Sequence, residues 1–233
     1  MILPNEKIIF IHIPKTGGAS IENFLLDAFG YERNPFLMIH GYGVNLNTTK
    51  SKFTIYPHMH YPLKDLVRDA NKNNIVIDDT WRIFSIVRNP YFRFISDLFY
   101  QESTPLKYQY HMLPEINRVN FIDQCVDLYL KSDTNENYHS YHSLPQYKFF
   151  EDTDLVCSIF RFEDGLEYSL TSMGFEITKP IPHELNLTKV FGTPKPDYNE
   201  VLTKKLVETV NQMFEEDFNA FGYEMLDPST YPC

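Results

Sequence analysis

Little in this chain can staple it, span a bilayer or attract a polyanion. Three cysteines among 233 residues, Cys125, Cys157 and Cys233, are too few for a disulfide framework. Cys157 sits in an apolar run and reads as a buried free thiol. No run of about 18 apolar residues occurs, so no membrane span is expected. Residues 1–7, M-I-L-P-N-E-K, lack the basic and apolar regions of a secretory signal. The sequons at Asn47 and Asn186 are then weak evidence for glycosylation, and a soluble, cytoplasmic protein is the expectation. Lys and Arg number 21 against 31 Asp and Glu, for a net charge of −10. Broad binding to nucleic acid is excluded by that balance, and any anion site must be a local positive pocket in a negative field. Repeats, low-complexity segments and linkers are also missing.

What is present is globular. Hydrophobic residues make up 43% and aromatic residues 15%, with 16 Tyr and 19 Phe, most of them core material. The length suits one α/β domain over residues 1–233. Strands are expected at 8–13, 81–87 and 154–160, the last one buried, with a short strand at 53–56. Helices are expected at 20–29, from Pro62 to 69, from Pro90 onward, at 121–130 and 163–173, and as one final helix over 199–218. Residues 36–52, 101–114 and 180–196 read as loop or irregular chain. Alternating strands and helices predict a central, mostly parallel sheet flanked by helices in three layers, with ligands beyond the carboxyl ends of the strands.

The segment 8–20, I-I-F-I-H-I-P-K-T-G-G-A-S, runs from strand through a glycine turn into a helix start. Amides of a first helical turn and the positive end of its dipole favour an anion. Gly17 and Gly18 permit close approach, and Lys15 adds a mobile charge. A triphosphate-binding loop of the G-x-x-x-x-G-K-[ST] kind is not matched, because here the lysine comes before the glycines. A second element, R-N-P-Y-F-R-F-I-S, follows a strand end and places Ser96 eight residues after Arg88, so that guanidinium and hydroxyl can meet on one anion. Arg93 between them is assigned to a solvated helix face, and Arg82 to a sheet edge or a carboxylate partner. The H-M-H of His58 and His60 supplies imidazoles suited to removing a proton. Glu22 is the fallback base, although a solvent-facing place in the first helix suits it better.

P-K-T-G-G-A-S after a strand resembles the 5′-phosphosulfate loop of sulfotransferases, and Arg88 with Ser96 is similar to that family's 3′-phosphate element. His58-Met-His60 resembles the corresponding part of the heparan-sulfate uronosyl 2-O branch, with His58 favoured as base and His60 as helper. H-S-L-P-Q at 142–146 resembles the H-x-x-P-Q segment near the acceptor site, and F-R-F-E-D at 160–164 the end of a later strand. H-E-L-N-L-T at 183–188 resembles a loop that closes over the nucleotide, with Thr188 on a phosphate. D-F-N-A-F-G-Y at 217–223 resembles the close of the last helix. The resemblance is to the membrane-type carbohydrate sulfotransferases of the 2-O/6-O class and their soluble microbial relatives, and covers nearly the whole chain.

That resemblance implies a P-loop-like fold and transfer of a sulfuryl group from 3′-phosphoadenosine 5′-phosphosulfate (PAPS) to a hydroxyl, with adenosine 3′,5′-bisphosphate as product and no metal. Donor contacts fall to Lys15, Thr16, Gly17, Gly18, Ala19, Ser20, Arg88, Ser96 and Thr188. Catalysis falls to Lys15, His58 and His60. The acceptor is a glycan or a small hydroxyl compound, and the oligomeric state stays open. Two other readings remain at this point: a kinase using ATP and magnesium, with Asp78 and Asp79 as the acids, and a nucleotide-binding module without catalysis.

Overall fold

The computed structural model describes residues 1–31, 43–47, 52–56, 60–100, 106–132, 140–181 and 196–233. Along the chain run β1 (Ile2–Leu3), β2 (Ile8–Ile11), α1 (Gly18–Phe29), β3 (Gly43–Asn47), β4 (Lys52–Tyr56), α2 (Leu63–Lys72), β5 (Arg82–Val87), α3 (Pro90–Leu98) and α4 (Leu106–Gln109). There follow α5 (Glu115–Ser132), α6 (Ser140–Ser143), β6 (Ser158–Arg161), α7 (Leu166–Ser172), α8 (Lys204–Met213) and α9 (Glu215–Phe221). The chain divides into two compact units, Met1–Val87 with Gln146–Leu185, and Arg88–Pro145 with Asn186–Cys233.

The first unit carries the sheet, in the order β3-β4-β1-β2-β5-β6. β2 pairs in parallel with β5, and β5 with β6, while β1 lies antiparallel to both β2 and β4, and β3 antiparallel to β4. Four of the six described strands therefore point one way, which gives the α/β, P-loop-like fold with a mostly parallel sheet flanked by helices. Every residue of β2 is buried, and β5 is buried from its second residue on. Strands covered on both faces read as continuous apolar runs for that reason. Phe10 and Phe84 on these strands pack with Leu25 and Leu26 of α1 and with Leu170 of α7. α1 ends at Gly30, whose φ of 68° admits the left-handed turn that closes the helix.

The second unit is helical. α3, α5, α8 and α9 bury one apolar cluster that includes Tyr91, Phe94, Val126, Leu206, Val210 and Phe218. Asn89 starts α3 by accepting from the amides of Tyr91 and Phe92, and Pro90 takes the first helical position. The R-N-P turn is thus a cap plus a helix-initiating proline, which frees Arg88 from any role in starting the helix.

Several elements differ from expectation. β1 was absent from the sequence reading, and β3 falls in a stretch read as loop, because a two-residue strand and a Gly-Asn-rich strand carry little propensity. β6 is not a buried strand: it begins at Ser158 and is largely exposed, as the terminal strand of the described sheet. An apolar run does not by itself distinguish a central strand from an edge. Cys157 beside it is half-buried rather than buried, and burial still pushes its thiol up to about 12. α5 is longer than expected, and α4 lies in a stretch read as irregular. The final helix is broken into a turn of 3₁₀ helix (Tyr198–Val201), α8 and α9. Thr203 explains the first break, since its hydroxyl accepts from the amide of Leu206 as the cap of α8.

Candidate active site

The loop between β2 and α1 turns through left-handed residues into a helix start with no side-chain cap. Lys15 has φ +67° and Gly17 φ +84°, two left-handed residues on either side of Thr16. A lysine in that region is strained, and such strain collects where function requires it. Gly17 stands at the N-cap of α1, no side chain caps the helix start, and its first turn holds no acidic residue. The twelve-residue helix therefore presents its positive end unneutralised by its own side chains. Thr16 is fully buried and donates its hydroxyl to the carbonyl of Ile13 at 2.9 Å, bracing the turn. A Cβ at Gly17 would come within 2.9 Å of the Phe162 ring, so the loop is seated on the segment after β6. Lys15, Gly17 and Ala19 are part-exposed, whereas Gly18 and Ser20 are buried.

Directly behind this loop lies a cluster of three ionisable side chains. His12, the residue after β2, places Nδ1 at 3.3 Å from Glu22 Oε1, with both side chains almost wholly buried. Its ring lies where a Cβ on Gly18 would be. His60 brings Nδ1 to 2.9 Å from the His12 carbonyl oxygen, and the two imidazoles meet edge to face at 4.7 Å. A carbonyl only accepts, so Nδ1 of His60 carries the proton and Nε2 holds the lone pair in the neutral ring. Glu22 is 4% exposed and does not face solvent, which corrects the sequence expectation. Burial pushes its carboxyl up, but the adjacent His12 and the nearby amino terminus outweigh this and hold it below the ordinary value. His58 and Thr188, like the whole segment 183–188, lie outside the described residues.

Arg88 and Ser96 belong to the helical unit. The Arg88 guanidinium lies over the Tyr198 ring at 5.5 Å, and Ser96 is buried in α3. Arg93 is not on a solvated face. It is 2% exposed and donates to the carbonyls of His142 and Leu144 at 2.8 and 2.9 Å. Burial draws its guanidinium below the usual arginine value, with Asp217, Tyr129 and Asp97 opposing that shift. His142, first residue of H-S-L-P-Q, sets Nδ1 at 2.6 Å from Asp97, which also accepts from the Tyr129 hydroxyl at 2.8 Å. In the first unit, Arg82 takes neither an edge nor a carboxylate. β5 is an inner strand, and the guanidinium donates to the Met173 carbonyl and covers the Phe175 ring.

Sequence reasoning missed both buried pairs, His12 with Glu22 and His142 with Asp97. A signal for the first exists in hindsight: a histidine ending an apolar strand, a glycine six residues on, and an acid one helical turn later on the same helix.

Among the described residues no helix is long and apolar enough to cross a membrane. No curated protein and no solved structure matches the chain significantly. A family model described as the sulfotransferase family matches residues 1–224, from the first strand through the last helix. A strand, a lysine-first glycine loop and an uncapped helix start lie within a match of nearly full length, and the chain belongs to the sulfotransferase family.

Proposed function

We propose that this transferase, acting as one domain over residues 1–233, moves the sulfuryl group of PAPS to a hydroxyl, with a carbohydrate as the acceptor class. The observation that carries the reading is the loop of Lys15, Gly17 and Gly18. Two left-handed residues lead into a helix start with no side-chain cap, beside a lysine, which supports an anion site there. Lys15 to Ser20 take the 5′-phosphosulfate, and Arg88 and Ser96 take the 3′-phosphate. These roles rest on the two motifs taken one at a time. Thr188 is assigned to a phosphate by resemblance alone.

The acceptor oxygen attacks sulfur in line with the bond to the bridging oxygen. That bond breaks, its electron pair stays on the 5′-phosphate oxygen, and adenosine 3′,5′-bisphosphate leaves. Charge grows on the bridging oxygen during the step, so Lys15 and the loop amides stabilise the transition state more than the ground state. A histidine of the H-M-H segment takes the acceptor proton. His60 has an observation in its favour, since its Nδ1–H donates to the His12 carbonyl, a contact that holds the ring in place. His58 remains the base that the resemblance favours.

Thermal unfolding with ligands tests the donor. Adenosine 3′,5′-bisphosphate without magnesium should stabilise the protein, by about 2.7 kcal/mol at 100 times its dissociation constant, and ATP should not. No shift with the bisphosphate removes the donor assignment. Labelled PAPS with a panel of glycans and small alcohols tests the acceptor. His58→Ala and His60→Ala, compared for turnover with donor binding intact, decide the base; full turnover in both places it elsewhere.

A further inference from the structure

We infer that Tyr198 is a positioning residue for the donor: its ring carries the Arg88 guanidinium and so sets the preference for a nucleotide with a 3′-phosphate over one without it. The inference rests on the reading of Arg88 as the 3′-phosphate contact. Both residues belong to the helical unit, and both are part-exposed, as a ligand site requires. The Arg88 guanidinium lies over the Tyr198 ring, 5.5 Å from its centre, within the reach of a cation–π attraction. The Phe92 ring, from the first turn of α3, meets the same ring at 5.9 Å with a tilt of 54°. Tyr198 opens a 3₁₀ turn whose cap, Asp197, accepts from the amide of Asn199 at 2.9 Å. Val201 and Leu202 anchor that turn in the helical core, and the Thr203 hydroxyl donates to Asp123 of α5 at 2.6 Å. Arg88 in turn stands just before Asn89, the cap of α3. Arginine and tyrosine are thus carried by two capped segments that pack together.

The chemistry gives such a brace a purpose. A guanidinium is planar, and its N–H donors lie in a fork along its edge that matches the oxygens of a phosphate. An aromatic ring under its face holds the plane in one orientation and directs the hydrogen bonding to that edge. A long side chain that is already held loses less rotamer freedom when the ligand arrives than one that is not. The chain carries a net charge of −10, so general attraction does not select for an added phosphate. Selection then falls to a placed donor. A nucleotide that lacks the 3′-phosphate makes no use of this orientation and gains nothing from the ring. The ring acts through Arg88 in this scheme, and neither its hydroxyl nor a contact with adenine is called on.

Titration calorimetry of the whole chain with adenosine 3′,5′-bisphosphate and with adenosine 5′-monophosphate gives the ratio of the two dissociation constants. Tyr198→Leu should weaken the bisphosphate about 5-fold or more and leave the monophosphate within about 2-fold. Tyr198→Phe keeps the ring and should match the wild type. In an Arg88→Ala background, Tyr198→Leu should add nothing, as expected of two residues that act as one. Equal weakening of both nucleotides would put the ring against the adenine and overturns the inference. An unchanged ratio in Tyr198→Leu overturns it too, and so does a loss in Tyr198→Phe as large as in Tyr198→Leu. Should Tyr198→Leu not fold, phenylalanine with increasing ring fluorination at position 198 keeps the shape and weakens the negative face of the ring. The ratio should then fall stepwise, and a flat series overturns the inference. Arg88→Ala separates the inference from the reading beneath it. A bisphosphate preference that survives Arg88→Ala removes Arg88 from the 3′-phosphate, and the role of Tyr198 with it. A preference lost in Arg88→Ala but intact in Tyr198→Leu overturns the role of Tyr198 alone.

Discussion

Gly18 has no space for a side chain, because a Cβ there would overlap the imidazole of His12. Gly18→Ala should therefore destabilise the protein by about 1–3 kcal/mol, the range for overpacking, and displace the ring that supports His60; thermal unfolding and turnover measure the two effects. Lys15→Ala is the opposite kind of change. It removes a part-exposed side chain and relieves no packing, so the fold should persist while turnover drops by about 10²-fold, as when a single oxyanion donor is lost. Glu22 also leaves a mark on stability. Its folded-state carboxyl lies below the ordinary value of 4.5, so it contributes stability above the unfolded pKa and loses it as pH falls through the folded one. Urea unfolding at stepped pH should show a wild-type decline below about pH 4.5 that is shallower in Glu22→Gln. Lys15, Gly17, Gly18 and His60 stand out in the sequence because residue type and order suggest a chemistry for each. The pairing of His12 with Glu22 does not, since the nine residues between them only bring the two together once strand and helix pack.

At the scale of elements, α3 is set by its cap, Asn89, and its fourth residue, Arg93. Asn89 caps it from just outside, and Asn89→Ala should cost about 1 kcal/mol, read from urea unfolding. Arg93 fastens the helix to α6 and the residue just after it through the carbonyls of His142 and Leu144. Arg93→Leu would leave both carbonyls without that donor and should cost about 2–4 kcal/mol in the same assay. A positive charge on a predicted helix reads as solvated by default. Here the helix face is occupied by Asp97, Tyr129 and two carbonyls that arrive from elsewhere in the chain, so the default failed. The broken final helix has a similar cause. Its apolar spacing from Leu202 to Phe218 is continuous, yet Thr203 caps a new start and Phe214 leaves the helical region with φ −125° and ψ 25°. Periodicity reports which face is buried, not where the axis changes.

At the scale of the molecule, a net charge of −10 must accommodate a donor that is itself multiply anionic. On the proposed reading attraction is local, at one lysine loop and one arginine turn, with no broad basic field to assist it. The protein should pass through a heparin column at about 0.1 M salt, where interactions beyond ~10 Å are screened; firm retention would point to a polyanionic acceptor. The sequence by itself determined the lysine-first glycine turn and the arginine with a serine eight residues on, local patterns that carry the family resemblance without coordinates. It also determined the class of fold, through the alternation of strands and helices. Only tertiary structure decided that β5 is an inner strand and β6 an exposed one, that Arg93 is buried, and that His12, Glu22 and His60 share one place. Strand order and burial depend on contacts between residues far apart in the chain, and no local pattern encodes them.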